Sequence, residues 1–500
     1  MRAPDHWLNP LRLALVGSFG SSGDQIYRLH QPAAALAQLE GVEVYELHPH
    51  VRPRDALALA ADVLVLLMGM DVELLRLVHQ RRLLGKPTVL EVNDWLPGVQ
   101  RCNPVHANWN DSRAWQLLSQ LIDQCDAIQV SSQGLADRLA PLAPRIQVVA
   151  NQLPQLPPHR PRPATGPLRI GWGGSAGHFD DIAAIAPALV SWLERHENVR
   201  LEVMADPLFE SLFEQAPAGR FRFVAAGSLD HYFDWLSGLD IGLAPLLPSD
   251  YNHCRSDVKF LEYASRGVVP VLQRSPTYAG VRDGETALLF SDTDELLTLL
   301  DGLVTDPERR QRLAAAAHGH VLAERRLEQH VPQQLAFYRQ LLDQAPAPQP
   351  DALPSRWGPA LVQAGSADLH NLRAQPGWRQ LSARHWSRDL AGPAEQQLEA
   401  GLEAIKQNAW PQALEQFRQA SAADPTDPYA LVFLGQALER TERPALAQQA
   451  YERAAALDPL CSRPLRALAA LHQRSANRWA AAAASLNPLV PGAPSQTLTP

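Results

Sequence analysis

Cysteine is scarce in this chain: four among five hundred residues, at Cys102, Cys125, Cys254 and Cys461, with no C-x-x-C pair. That argues against a disulfide framework or a zinc site and fits a reducing, cytoplasmic setting. Long apolar runs are missing too. The longest, Asp62-Val-Leu-Val-Leu-Leu-Met68, falls far short of the roughly 20 residues that a bilayer-spanning helix needs. The opening residues Met1-Arg-Ala-Pro-Asp-His-Trp7 lack the apolar core of a signal peptide. The expectation is a cytoplasmic protein without a transmembrane segment, with peripheral contact to the inner face of a membrane left open. Charge of one sign is not concentrated either. Acidic and basic residues are interspersed, for a net charge of −8, which leaves no basic footprint for nucleic acid. No D-x-D-like pair ends a strand, and His48 and His50 read as solvated loop, so no metal is expected.

What the chain does have is alternation. Five hundred residues exceed what one core holds, so two or three domains are expected. From Leu11 to about Leu153, near-continuous apolar runs alternate with helical patterns. The predicted strands are Leu13–Gly17, Val42–Leu47, Asp62–Leu67, Thr88–Val92, Ala127–Val130 and Ile146–Val149, with helices such as Gln31–Leu39 and Arg113–Gln124 between them. Buried parallel strands read this way, so residues 1–153 form a Rossmann-like α/β domain. A proline-rich join, 154–167, leads to a second such domain over 168–343, with strands at Leu168, Val199–Met204, Phe221–Val224, Asp240–Ala244, Val268–Leu272 and Ala287–Phe290. The fold class is therefore α/β, two tandem Rossmann-like domains.

A linker with prolines and tryptophans, 344–393, separates these from an all-α region over 394–486, and 487–500 reads as a disordered tail. The helical region repeats at a spacing of thirty-four residues: Gly401, Ala413, Phe417, Ala420 and Pro425 recur as Gly435, Ala447, Tyr451, Ala454 and Pro459. Small residues let two helices approach, the aromatic fills the space between them, and the proline ends the second helix. These positions resemble the tetratricopeptide repeat. A third, degenerate copy is expected from about Arg463 to Leu486. So few repeats are marginal alone, which implies packing on a neighbour or self-association.

The segment from Asp240 to Val271 is the most informative for function. It reads as strand, polar loop, helix opening near Ser256, and strand, with Arg255, Lys259 and Glu262 gathered at one helix N-terminus. Such a place suits a phosphorylated, ribose-bearing ligand. Read alone, Lys259 and Glu262 are an ordinary i,i+3 surface pair; the strand-loop-helix setting favours the ligand. In the first domain, Gly17-Ser-Phe-Gly20-Ser-Ser-Gly23 is either a ligand-facing turn or simply a tight one. Arg28 shortly after it either points the same way or caps a helix. Asp94, in Glu91-Val-Asn-Asp-Trp95 at a strand end, either activates an acceptor hydroxyl or caps the next element. Ser131, Ser132 and Asn151 divide between hinge positions and loop caps.

The second domain resembles the nucleotide-sugar-binding half of GT-B glycosyltransferases, particularly the retaining family-four (group 1) type. The residues that carry the likeness are Ile170-Gly-Trp-Gly-Gly-Ser175 with His178 and Asp181, Asp240-Ile-Gly-Leu-Ala-Pro245, Asn252, Arg255, Ser256, Lys259, Glu262, Tyr263, Gly267-Val-Val-Pro270 and Asp283–Phe290. The resemblance spans roughly Leu11 to Leu342. It implies a hexosyltransferase-type enzyme that moves a sugar from a nucleotide-sugar donor to an acceptor glycan, lipid or protein. The nucleotide-sugar is a substrate, so no cofactor is implied, and GT-B enzymes generally work without a metal. By the same likeness Glu262 holds the ribose, and Ser256, Asn252, Gly173, Gly174, Ser175 and Gly20 contact the donor. Arg255 and Lys259 stabilise the departing diphosphate, and Asp94 acts on the acceptor. Two departures stand out. Many relatives carry a second glutamate eight residues before the first, where this chain has Cys254, and their arginine and lysine after the first strand of this domain are absent. Two other readings stay open: a catalytically weakened GT-B scaffold that uses its repeats for protein interaction, and a GT-B nucleotide-sugar epimerase.

Overall fold

The computed structural model describes residues 10–17, 22–47, 54–68, 73–103, 105–106, 112–143, 145–159, 166–348, 393–425, 427–457 and 462–486. The chain divides into two compact units; the first holds two β-sheets and the second the helices from Pro393 onward. Gly20, much of its loop, most of 344–393 and all of 487–500 lie outside the described residues.

The first sheet has six parallel strands, β1 (Leu11–Val16), β2 (Val42–Leu47), β3 (Val63–Leu67), β4 (Thr88–Val92), β5 (Ala127–Val130) and β6 (Ile146–Val148), in the order β2-β1-β3-β4-β5-β6. Helices cover both faces, which is why β3, Val-Leu-Val-Leu-Leu, is buried at every residue. The second sheet repeats the plan with β7 (Leu168–Gly173), β8 (Val199–Ala205), β9 (Phe221–Ala225), β10 (Ile241–Ala244), β11 (Val269–Gln273) and β12 (Leu288–Phe290), in the order β12-β11-β10-β7-β8-β9. The strand order reverses between β1 and β3 in one sheet and between β7 and β10 in the other. Crevices open at the carboxyl ends of strands at such points.

The two sheets belong to one unit because the chain crosses back. After the helix Pro307–Glu324 it returns as the helix Leu327–Asp343. That helix buries Leu327, Val331, Leu335, Tyr338 and Leu341 in the core of the first sheet, against Leu29, Ala33 and Leu36. Each such side chain contributes roughly 1.5–3 kcal/mol on burial. The crossing is pinned at Arg325, whose guanidinium donates to both oxygens of Asp257 (2.6 and 3.1 Å), to Gln152 Oε1 (2.9 Å) and to the Asn151 carbonyl (2.9 Å). Beside it, Leu153 and Leu327 exchange backbone hydrogen bonds with the opposing strand of chain.

The second unit consists of the helices Pro393–Lys406, Trp410–Ala423, Pro428–Arg440, Pro444–Leu457 and Ser462–Leu486. A Cβ at Gly401 would lie 2.4 Å from the Phe417 ring, and one at Gly435 would lie 2.4 Å from the Tyr451 ring. Both helical pairs thus approach through a glycine facing an aromatic. The turns repeat as well: Asn408 and Glu442, at equivalent positions, both adopt positive φ. Among the described residues no helix is long and apolar enough to cross a membrane.

Candidate functional site

One cavity lies between the carboxyl ends of the two sheets. The first sheet contributes Gly23, Asp24, Tyr27 and Arg28 after β1, Asn93 and Asp94 after β4, Ser131 after β5 and Asn151 after β6. From the second come Gly174, Ser175 and His178 after β7 and, after β10, Leu246, Arg255, Ser256, Lys259 and Glu262. Most of the residues singled out from sequence therefore converge.

Glu262 lies on the helix Val258–Ser265 and is almost fully buried. Its Oε2 accepts from Lys259 Nζ at 3.0 Å and from the Tyr232 hydroxyl at 2.8 Å; its Oε1 accepts from the Tyr27 hydroxyl at 2.9 Å. The Lys259 ammonium also donates to Tyr232 at 2.8 Å and lies over the Tyr232 ring. The surface-pair reading of Lys259 and Glu262 thus gives way to a buried, hydrogen-bonded ion pair at the cavity wall. Burial, and after it the Glu262 charge, holds both the Tyr27 and Tyr232 phenols well above their ordinary pKa. They remain neutral donors to the carboxylate.

The start of this helix is free of side-chain capping. Asp257 occupies the N-cap position but accepts no bond from the first turn, because its carboxylate is taken by Arg325. Ser256, one residue earlier, faces the cavity and binds Asn151 Nδ2 through Oγ at 2.9 Å. Arg255 lies deep in the cavity with its guanidinium over the Tyr251 ring. Burial works to lower its pKa, but Tyr251, Asp94 and Asp181 outweigh this and raise it. Among the described residues its guanidinium makes no side-chain hydrogen bond or ion pair with a carboxylate. A firmly charged cation beside an uncapped helix start is a suitable anion site.

Asp94 faces Arg255 from the first sheet. Burial raises its pKa to about 6, opposed by Arg255 and by a hydrogen bond from Tyr251, and reinforced by Asp24. It forms no helix cap in the short 3₁₀ turn Leu96–Gly98 that follows. A carboxylate poised near neutrality is suited to proton transfer.

Arg28 is neither a cap nor exposed. It belongs to a π-helical turn, Ile26–His30, that directly precedes the expected helix at Gln31, and both Tyr27 and Arg28 line the cavity. Its Nε donates to Glu91 at 2.8 Å and its Nη1 to Asn151 at 2.6 Å. Glu91 also accepts from Gln129 at 2.6 Å, and Gln129 in turn accepts from the Tyr338 hydroxyl of the returning helix. Asn151 spends its side chain on Arg28 and Ser256. Ser132 caps Gln133–Leu139 and donates to the Cys254 carbonyl at 2.6 Å. Ser131 lines the cavity and bonds the Asn93 carbonyl.

Two expected residues, Asn252 and Gly173, stand away from the cavity lining. Asn252 is fully buried and spends its amide on Asp181 and the Leu247 carbonyl, so it supports the wall without reaching the cavity. Gly173 is a packing position, since a Cβ there would lie 2.7 Å from the Tyr232 ring, and it is Gly174 and Ser175 that reach the cavity. Gly20 lies outside the described residues. Cys254 is buried with its thiol 3.6 Å from the Gly134 carbonyl, turned toward the first sheet's helix and not among the cavity-lining residues. Tyr27 and Tyr232 went unrecognised in the sequence. Neither sits in a spacing that signals a carboxylate partner so far along the chain. Among the described residues no group of three or more His, Cys, Asp or Glu side chains could hold a metal ion.

Comparison with solved structures decides the architecture. Sucrose-phosphate synthase from Thermosynechococcus elongatus superposes with a TM-score of 0.50 at 15% identity, covering 67% of this chain and 100% of that one. The fold is GT-B-like. Also similar are a glycosyltransferase from Rickettsia africae (TM-score 0.49, 12% identity, 67% of this chain and 100% of that one) and Anabaena Alr3699/HepE in complex with UDP and glucose (0.48, 12%, 66% and 99%). In sequence, residues 189–336, within the second α/β half, match a protein family described as glycosyl transferase-like. No curated protein matches the chain.

Proposed function

We propose that this GT-B-like chain is a glycosyltransferase that moves a hexose from a nucleotide-sugar donor to an acceptor glycan, lipid or protein. The observation that carries the reading is the buried Glu262 carboxylate, flanked by Lys259, Ser256 and Arg255 on one cavity wall. The family match over 189–336, which contains all four residues, supports it. Glu262 accepts the two ribose hydroxyls of the nucleotide. Arg255 and Lys259, with the free N–H groups at the start of Val258–Ser265, neutralise the diphosphate and stabilise it as it leaves, where charge builds in the transition state. Asp94, across the cavity, takes the proton of the acceptor hydroxyl. The cationic side chains supply what a metal otherwise would, and the sugar is transferred with retention. The helical unit acts as tetratricopeptide-like repeats that recruit a protein partner or self-associate, and the enzyme works in the cytoplasm.

The test is to mix the purified protein with a panel of nucleotide sugars and cell extract and to follow release of nucleoside diphosphate. Transfer of labelled sugar to an acceptor in the extract supports the reading. Absence of nucleoside diphosphate binding contradicts it and leaves a scaffold, and formation of an epimer from donor alone makes the protein an epimerase.

A further inference from the structure

His178 follows the glycine turn after β7. Its Nδ1 lies 2.9 Å from Asp181 Oδ2, so Nδ1 carries the hydrogen and Nε2 keeps its lone pair. Asp181 cannot turn away: its side chain is buried, and its Oδ1 accepts from the Leu247 N–H at 2.8 Å and from Asn252 Nδ2 at 2.9 Å. The imidazole is wedged between the edge of Trp172 and Gly174, where a Cβ would come 3.4 Å from His178 Cδ2. The residue is 7% exposed, yet it forms part of the cavity wall, and among the described residues Nε2 has no hydrogen-bond partner. Burial, and then the Arg255 charge, lowers the His178 pKa to about 4, so the ring is neutral near pH 7.

This arrangement is the opposite of a phosphate site. Phosphate oxygens accept hydrogen bonds, and a neutral ring with its donor spent on a carboxylate offers them only a lone pair. A hydroxyl group, which donates, is the complementary partner. The Asp181 partner of His178 is bonded to Leu247 and Asn252, in the stretch of chain that leads into Arg255, whereas Glu262 sits further along, on the second turn of the helix Val258–Ser265. We propose that His178 is a specificity-determining residue whose Nε2 accepts a hydrogen bond from a hydroxyl of the transferred sugar. This rests on the glycosyltransferase reading. Asn252 and Asp181 are then positioning residues that fix the tautomer.

The experiment measures calorimetric binding of matched pairs, UDP with UDP-glucose and GDP with GDP-mannose, to the full chain and its variants. In His178→Phe the nucleoside diphosphate should bind within about twofold of the unaltered protein, which also reports an intact site. The nucleotide sugar should weaken about tenfold, as expected for one lost hydrogen bond. His178→Gln, which keeps an acceptor, should recover part of the loss. Equal weakening of both ligands would make His178 a phosphate-side residue and overturn the proposal. So would unchanged binding of both. If the unaltered protein binds no nucleoside diphosphate, the functional reading falls and this inference with it.

Discussion

The Tyr27 hydroxyl donates to Glu262 Oε1 at 2.9 Å, joining the helix after β1 to the helix after β10 across the cavity. Both oxygens of Glu262 are thereby engaged by the protein, since Tyr232 and Lys259 share the other. A ribose that binds Glu262 must compete with the tyrosine. Tyr27→Phe removes the competitor and should tighten nucleoside diphosphate binding by about three- to tenfold, the net worth of one typical hydrogen bond. Calorimetry on the two proteins checks this, and weaker binding by the variant would mean that Tyr27 contributes to the ligand site instead.

Lys259 and Glu262 are both largely buried, with side chains 16% and 5% exposed. Removing one partner leaves an uncompensated charge out of water. Lys259→Met should lose about 3 kcal/mol in urea unfolding and nearly all turnover. An exposed pair would lose under about 1 kcal/mol.

Burial places the Asp94 pKa at about 6. As a general base it must be ionised, so activity should fall as pH drops through 6, about tenfold per unit below it, and level off above. Asp94→Asn should lower activity and abolish this limb of the profile. A profile for Asp94→Asn that still breaks near pH 6 would assign the titration to another group.

Cys254 stands eight residues before Glu262, but its thiol faces the Gly134 carbonyl rather than the cavity. Cys254→Ala should retain turnover within about twofold, with a stability loss of about 1 kcal/mol for the small void. Cys254→Glu buries an unpaired carboxylate and should destabilise the protein by several kcal/mol. Loss of turnover in the stably folded alanine variant would give the thiol a chemical role.

Much of the fold was legible because parallel strands covered on both faces must be apolar throughout. Each of the twelve strands falls where an apolar run stands, most within a residue or two at either end. Periodicity says nothing, however, about which core a helix joins. Leu327–Asp343 carries an ordinary apolar stripe that fits either sheet, and only the structure shows it returning to Leu29 and Leu36. The cationic cluster at the start of Val258–Ser265 was legible because its members lie within eight residues of one another. The Tyr27 contact was not, being built from positions 235 residues apart on a π-helical turn that no pattern marked. Asn252 shows the reverse limit. Its place in the motif was clear, but the buried Asp181, on the short helix Phe179–Ala183, decides which way the amide points.

On the glycosyltransferase reading, Glu262 binds the nucleotide portion of a nucleotide-sugar donor. The most direct measurement compares the unaltered protein with Glu262→Ala for binding of the nucleoside diphosphate selected from the panel and for its release from the sugar donor, with thermal unfolding followed in parallel. Binding should weaken by at least about tenfold and release should stop, while the variant still unfolds cooperatively. Undiminished binding and release in a folded Glu262→Ala protein would contradict it.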